Sequence, residues 1–260
     1  MHSAKERLIV ALDVEAADRA LDLFAALRDV AGMFKVGSQL FTAAGPDIVR
    51  QIVARGGRVF LDLKFYDIPN TVAAAGIEAT RLGVSIFNVH ASGGPEMMKR
   101  TAVAVAETAT REDLTPPKVI AVTLLTSLDA HALTEVGTAK QPQTLVTDLA
   151  QLAAGCGLDG VVASPQEIEI IREKVSRPDF LIVTPGIRAA GDKFDDQKRV
   201  MTTTDAIRAG ADYLVVGRPI LDADDPVESA QLIVREIDAA LTDSPNQSAE
   251  QLIRQSVQVT

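Results

Sequence analysis

Short apolar runs and longer amphipathic stretches alternate along the chain eight times. The strand-like runs lie at 8–14, 33–37, 58–64, 85–91, 118–127, 160–164, 180–186 and 213–220, and most are near-continuous Val, Ile, Leu and Phe. Parallel strands covered on both faces have this composition, whereas half-exposed strands alternate apolar and polar residues. Between the runs fall segments with apolar residues at helical spacing, among them 16–30, 39–55, 95–108, 144–154 and 226–241. Two helix starts are written out residue by residue. Ser164-Pro165-Gln166-Glu167 and Asp225-Pro226-Val227-Glu228 each supply a capping side chain, Pro at the first helical position and Glu at the third. Eight units give roughly 30 residues per repeat, the size of a βαβ unit. A doubly wound sheet would carry fewer strands and a Gly-rich first turn. The count therefore predicts a single α/β domain, a closed (β/α)8 TIM barrel spanning residues 1–241. Residues 242–260 are polar and interrupted by Pro245, and read as an accessory tail with a short helix near 250–256.

Composition narrows the class. Of 260 residues, 47% are hydrophobic, enough for a sizeable core, so general disorder is excluded. The net charge is −9, and with no Trp and two Tyr the chain is poorly equipped to grip a nucleic-acid backbone or stack bases. A small anion needs only a few local cations and stays within reach. No apolar run approaches the roughly 18 residues of a membrane span. The charged residues 1–7 and the brief apolar run ending at Asp13 make a poor export signal. A single cysteine, Cys156, excludes an intrachain disulfide and any CxxC site. The expected setting is the reducing cytoplasm.

In barrels of this type, function collects where strands end and loops begin. The polar residues expected there are Asp13, Lys35, Asp62, Lys64, His90, Thr126, Ser127, Ser164, Gly217 and Arg218. Ionisable groups at the end of a buried strand are costly unless paired, and four within three strands exceed what packing requires. The densest segment runs from Phe60 to Thr71. Strand alternation puts Asp62 and Lys64 on one face, with Asp67 three residues on in the loop. The pattern predicts an ammonium between carboxylates, with Lys35 able to join. A second cluster lies late in the chain, in Thr184-Pro185-Gly186-Ile187-Arg188 and Val216-Gly217-Arg218-Pro219. Loops after strands seven and eight often hold phosphate; glycine admits backbone N–H groups to the anion and Arg adds a planar fork of donors. Residues 189–200 are long and charged, as suits a loop closing over a ligand.

Other motifs are weaker. Gly155-Cys156-Gly157-Leu158-Asp159-Gly160 spells GxGxxG, but it precedes a strand instead of following one, and reads as a helix-to-strand turn. His2, His90 and His131 lack metal-ligand spacing, and His90 reads as a hydrogen-bonded residue at the barrel mouth. Cys156 reads as core.

The stretch Asp62-Leu63-Lys64-Phe65-Tyr66-Asp67-Ile68-Pro69-Asn70-Thr71 closely resembles the signature of the orotidine 5′-phosphate decarboxylase family. So do Ala11-Leu12-Asp13, Phe34-Lys35-Val36-Gly37, Asn88-Val89-His90-Ala91, Leu125-Thr126-Ser127, Thr184 to Arg188, Asp196 to Val200 and Asp212 to Ile220, in order along nearly the whole chain. The resemblance implies decarboxylation of orotidine 5′-monophosphate (OMP) to UMP with no metal and no cofactor. It implies Lys64 as the catalytic lysine protonating C6, Asp62 beside the substrate carboxylate, and Asp13 and Lys35 on the ribose. Thr126 and Ser127 would address the pyrimidine, and Arg188, Gln197, Gly217 and Arg218 the phosphate. Asp67 and Thr71 would reach into a partner's site, making the active unit a homodimer.

Two rivals accompany that expectation. A Mg2+-dependent branch of the same barrels decarboxylates or condenses sugar-acid phosphates, but typically has an acidic residue on strand two, where Lys35 stands here. A non-catalytic nucleotide-binding barrel would lack a charged member, and none is missing.

Overall fold

The computed structural model describes residues 2–187 and 201–243. Its eight strands are β1 (Leu8–Ala11), β2 (Met33–Gly37), β3 (Val59–Phe65), β4 (Ile86–His90), β5 (Lys118–Val122), β6 (Gly160–Val162), β7 (Leu181–Thr184) and β8 (Tyr213–Val216). They pair in parallel in chain order and close by β1 against β8, so the expected TIM barrel is what the chain forms.

Strand alternation sorts the side chains into two cores. Ile9, Met33, Phe60, Ile86, Ile120, Val183 and Tyr213 fill the barrel interior. Val10, Phe34, Leu61, Phe87 and Ile182 point outward and pack beneath the helices. The same parity dictates the site. Two residues beyond Met33, Phe60 and Ile86 stand Lys35, Asp62 and Asn88, all buried. The functional end is the barrel interior continued past the point where its apolar filling stops.

Several element boundaries differ from the sequence reading, each for a local reason. The run 118–127 is strand only to Val122; Thr123 donates to the Val162 carbonyl, β6 ends there, and Thr126 and Ser127 fall in the following loop. The run 213–220 stops at Val216, and Arg218–Leu221 form a helical turn containing Pro219. The segment 8–14 pairs only to Ala11. The helix expected over 39–55 is two, Ser38–Ala44 and Asp47–Ala54. Gly45 between them adopts φ 65°, and Pro46 offers no N–H to continue the first helix.

Both written caps form. Ser164 and Glu167 make a reciprocal capping box around the 3-10 turn Pro165–Glu167, and Asp225 accepts from the Val227 and Glu228 N–H groups ahead of Pro226–Thr242. The GxGxxG spelling is a helix-to-strand turn: helix Pro142–Gly155 ends, Gly157 turns at φ 82°, and β6 begins at Gly160. Among the described residues no helix is long and apolar enough to cross a membrane. The tail proposed for 242–260 lies outside the described residues beyond Asp243.

Gly160 shows how tightly the strands pack. A Cβ there would collide with the carbonyl oxygen and Cβ of Leu181 on β7. Gly160→Ala should destabilise the fold by about 1–3 kcal/mol, the usual cost of overpacking. Urea unfolding should show a lowered midpoint with an unchanged slope; an unchanged midpoint would refute the close approach.

Candidate active site

At the C-terminal end of the barrel, the interior opens into a cavity of about 520 Å3. Asp13, Lys35, Asp62 and Lys64 line one side, and Gly186, Gly217 and Arg218 are also in its wall. The late-chain cluster and the early ionic cluster thus face one cavity, although more than 100 residues separate them in sequence.

The ionic residues form a row in which charge alternates. Lys35 Nζ lies 2.8 Å from Asp13 Oδ1 and 3.4 Å from Asp62 Oδ2, and Lys64 Nζ donates to Asp62 Oδ1 at 2.7 Å. Exposure rises toward the two ends: the Lys35 and Asp62 side chains are 10% and 12% exposed, Lys64 35% and Asp13 50%. Burial alone would drive Lys35 toward its neutral form. The Asp62 and Asp13 charges and their hydrogen bonds outweigh it, so its pKa stands above the ordinary lysine value of 10.5. Gly37 makes room for this pairing: a Cβ would lie 3.0 Å from Lys35 Nζ and 3.2 Å from Asp13 Oδ1.

The expectation of Lys64 between Asp62 and Asp67 holds only for Asp62 within one chain. Asp67 is exposed, and its Oδ1 accepts from the next residue's N–H, Ile68, at 2.6 Å. Its place in the row is taken by Lys35 and Asp13. Thr71, in the first turn of helix Pro69–Arg81, is also exposed and outside the cavity. Beside them Tyr66 and Ile68 are 64% and 66% exposed, an apolar rim around Asp67. Thr126 lines the cavity, whereas Ser127 is exposed and does not. Arg188 and Gln197, and the segment 189–200, lie outside the described residues.

Asn88, to which the sequence pattern assigns no role, is fully buried beside the row. Its Nδ2 donates to Asp62 Oδ1 at 2.7 Å, and its Oδ1 accepts the Lys64 backbone N–H at 2.8 Å. The available signal was a polar residue at an inward position of a buried strand. His90 ends the same strand. Its ring packs tilted against Tyr66 at 5.6 Å, and burial followed by the nearby Lys64 charge lowers its pKa. Cys156 is buried with Sγ 3.7 Å from the Pro95 carbonyl, in keeping with a core position. Among the described residues no group of three or more His, Cys, Asp or Glu is arranged to hold a metal ion.

A parallel barrel with an alternating Asp–Lys row at its strand ends defines an enzyme of the TIM-barrel class. The model for the orotidine 5′-phosphate decarboxylase / HUMPS family matches residues 6–233, and the chain belongs to that family. It is 54% identical over 238 residues to an orotidine 5′-phosphate decarboxylase from Syntrophotalea carbinolica, covering 92% of this chain and 97% of the relative. A Moorella thermoacetica relative of the same name is 54% identical over 239 residues, covering 92% and 94%. Among solved structures, an orotidine 5′-phosphate decarboxylase from Lactobacillus acidophilus superimposes with a TM-score of 0.78 at 36% identity, covering 89% of this chain and 98% of that one.

The charge on Lys35 has a measurable consequence. Lys35→Met removes the cation shared by Asp13 and Asp62; because Asp62 keeps Lys64 and Asn88 and Asp13 is half exposed, it should destabilise the protein by about 1–3 kcal/mol at neutral pH. Because the folded pKa is raised, this stabilisation is complete below about pH 10.5 and fades only as pH climbs through the higher folded value. The stability gap between wild type and variant, read from urea midpoints, should therefore be constant from pH 7 to 10. A gap closing within that range would contradict the pairing.

Proposed function

We propose that this protein decarboxylates orotidine 5′-monophosphate to UMP, the last step of UMP synthesis, without metal or cofactor. The observation that carries the reading is the Asp13–Lys35–Asp62–Lys64 row facing the same cavity as Gly217 and Arg218. A nucleotide seated with its phosphate at Gly217 and Arg218 puts its ring toward the strand ends. Arg188 and Gln197 are assigned to the same phosphate by family resemblance, and Thr126 is the polar cavity residue available to the pyrimidine.

Loss of CO2 from C6 leaves an electron pair in the ring plane, where the ring's π system cannot delocalise it. Stabilisation must then come from a charge already in place. An ammonium about 4 Å from that pair, at an effective dielectric near 20, contributes roughly 4 kcal/mol. The bond to Asp62 supports Lys64 in this role, and its ammonium then delivers the proton that completes UMP. Asp62 lies where the substrate carboxylate would approach, and the departing CO2 removes that like-charge encounter. Asp13 and Lys35, at the cavity wall, are suited to the ribose hydroxyls. Contacts to the phosphate do not change during bond breaking, so their binding energy serves to hold the ring in position.

Lys35 also separates this reading from the Mg2+-dependent branch. The two carboxylates that a divalent ion would need already share its ammonium. Support for a dimer comes from Asp67 and Thr71. Both are exposed beside an apolar rim of Tyr66 and Ile68, suited to covering by a second copy that places Asp67 next to the other copy's Lys64.

Ultraviolet absorbance with OMP tests the reaction. Lys64→Ala should lower kcat by several orders of magnitude while UMP affinity changes little; near-normal turnover would remove Lys64 from the mechanism. Activity of the wild type should survive EDTA. Mixing the inactive Lys64→Ala and Asp67→Asn proteins under subunit exchange should restore part of the activity through hybrid dimers with one intact site. No recovery would refute shared sites.

A further inference from the structure

Along β3 the ladder with β4 is regular at Phe60↔Ile86 and Leu61↔Phe87, and resumes at Phe65↔Val89. Four residues of β3 are spent against two of β4. The excess is absorbed at Lys64, which adopts φ 52°, a left-handed conformation that side chains with a Cβ rarely hold. The irregularity takes the Lys64 N–H out of the ladder, and the Asn88 side chain supplies the missing acceptor at 2.8 Å. The other end of the same amide donates to Asp62 Oδ1, the oxygen that also receives Lys64 Nζ. One amide therefore fixes both the backbone from which the lysine springs and the carboxylate it reaches.

We propose that Asn88 is a positioning residue for the reaction, holding the Lys64 ammonium in its reactive place without touching substrate. Asn88 is fully buried and does not line the cavity, so its action passes through Lys64 and Asp62. Only an amide suits the position. The acceptor must face a backbone N–H and the donor a carboxylate, and these sit 2.8 Å and 2.7 Å away on opposite atoms of one side-chain group. Asp there would present an oxygen to Asp62 where a donor is required. Ala would leave the bulged Lys64 backbone N–H and one Asp62 contact without their side-chain partner. Either change frees Lys64 to relax toward ordinary strand geometry and to move its ammonium.

The inference rests on the reading of Lys64 as proton donor, and the experiment keeps the two apart. Wild type, Lys64→Ala, Asn88→Asp and Asn88→Ala are compared for kcat and KM with OMP, for UMP affinity, and for urea midpoint. Misplacing a reacting group by about 1 Å costs on the order of 100-fold, and both Asn88 variants should lose kcat on that scale. KM and UMP affinity should stay within about 3-fold, because the lost interaction acts in the transition state and not in ground-state binding. A merely structural role would lower the urea midpoint and leave kcat of the folded fraction intact, and that result would overturn the proposal. A parallel rise in KM and loss of UMP affinity at constant kcat would also overturn it, by making Asn88 a binding residue. Failure of both variants to fold would assign Asn88 to folding instead. If wild type and Lys64→Ala turn over OMP equally, the mechanism assigned to Lys64 fails, whatever Asn88 does.

Discussion

The arrangement depends on one carboxylate. Asp62 sits at the end of a buried strand with a side chain only 12% exposed, where an unpaired charge would cost several kcal/mol. Its two oxygens meet three partners: the Lys35 ammonium as an ion pair on one, and the Lys64 and Asn88 donors on the other. Each partner comes from a different part of the barrel, β2, the end of β3 and β4. Satisfying Asp62 therefore ties three strands together at the mouth and leaves an ammonium at a defined point of the cavity. Stability and chemistry draw on the same contacts, which is why the row is buried at its centre and open at Lys64.

Much of this was legible in the chain because TIM barrels are built by repetition. Continuous apolar runs gave the eight strands, and the parity that hides Met33 and Phe60 also places Lys35 and Asp62 on the inside. Charged residues at these positions stand out against Val, Ile and Leu. The two helix caps were equally readable, since a capping side chain acts within three residues.

What escaped the sequence was set by non-local pairing. The end of β5 depends on where β6 stops offering carbonyls, which no local pattern records. The strand alternation that assigned Asp62 and Lys64 to one face brings them together, but it conceals a change of register and a left-handed residue between β3 and β4. Asn88 passed as part of a strand because an amide carries no charge and its partners lie 24 and 26 residues away. Asp67 shows the opposite case within one chain. Closeness in sequence suggested contact, whereas the loop turns its carboxylate onto its own backbone.

The most direct measurement is a crystal structure of the protein with UMP bound. The phosphate should lie at Gly217 and Arg218 and the Lys64 nitrogen about 3–3.5 Å from C6, close enough to pass a proton. The Asp62–Lys64 contact should survive binding. A uracil ring whose C6 faces away from Lys64, or a lysine turned out to solvent with the nucleotide in place, would contradict the role given to Lys64.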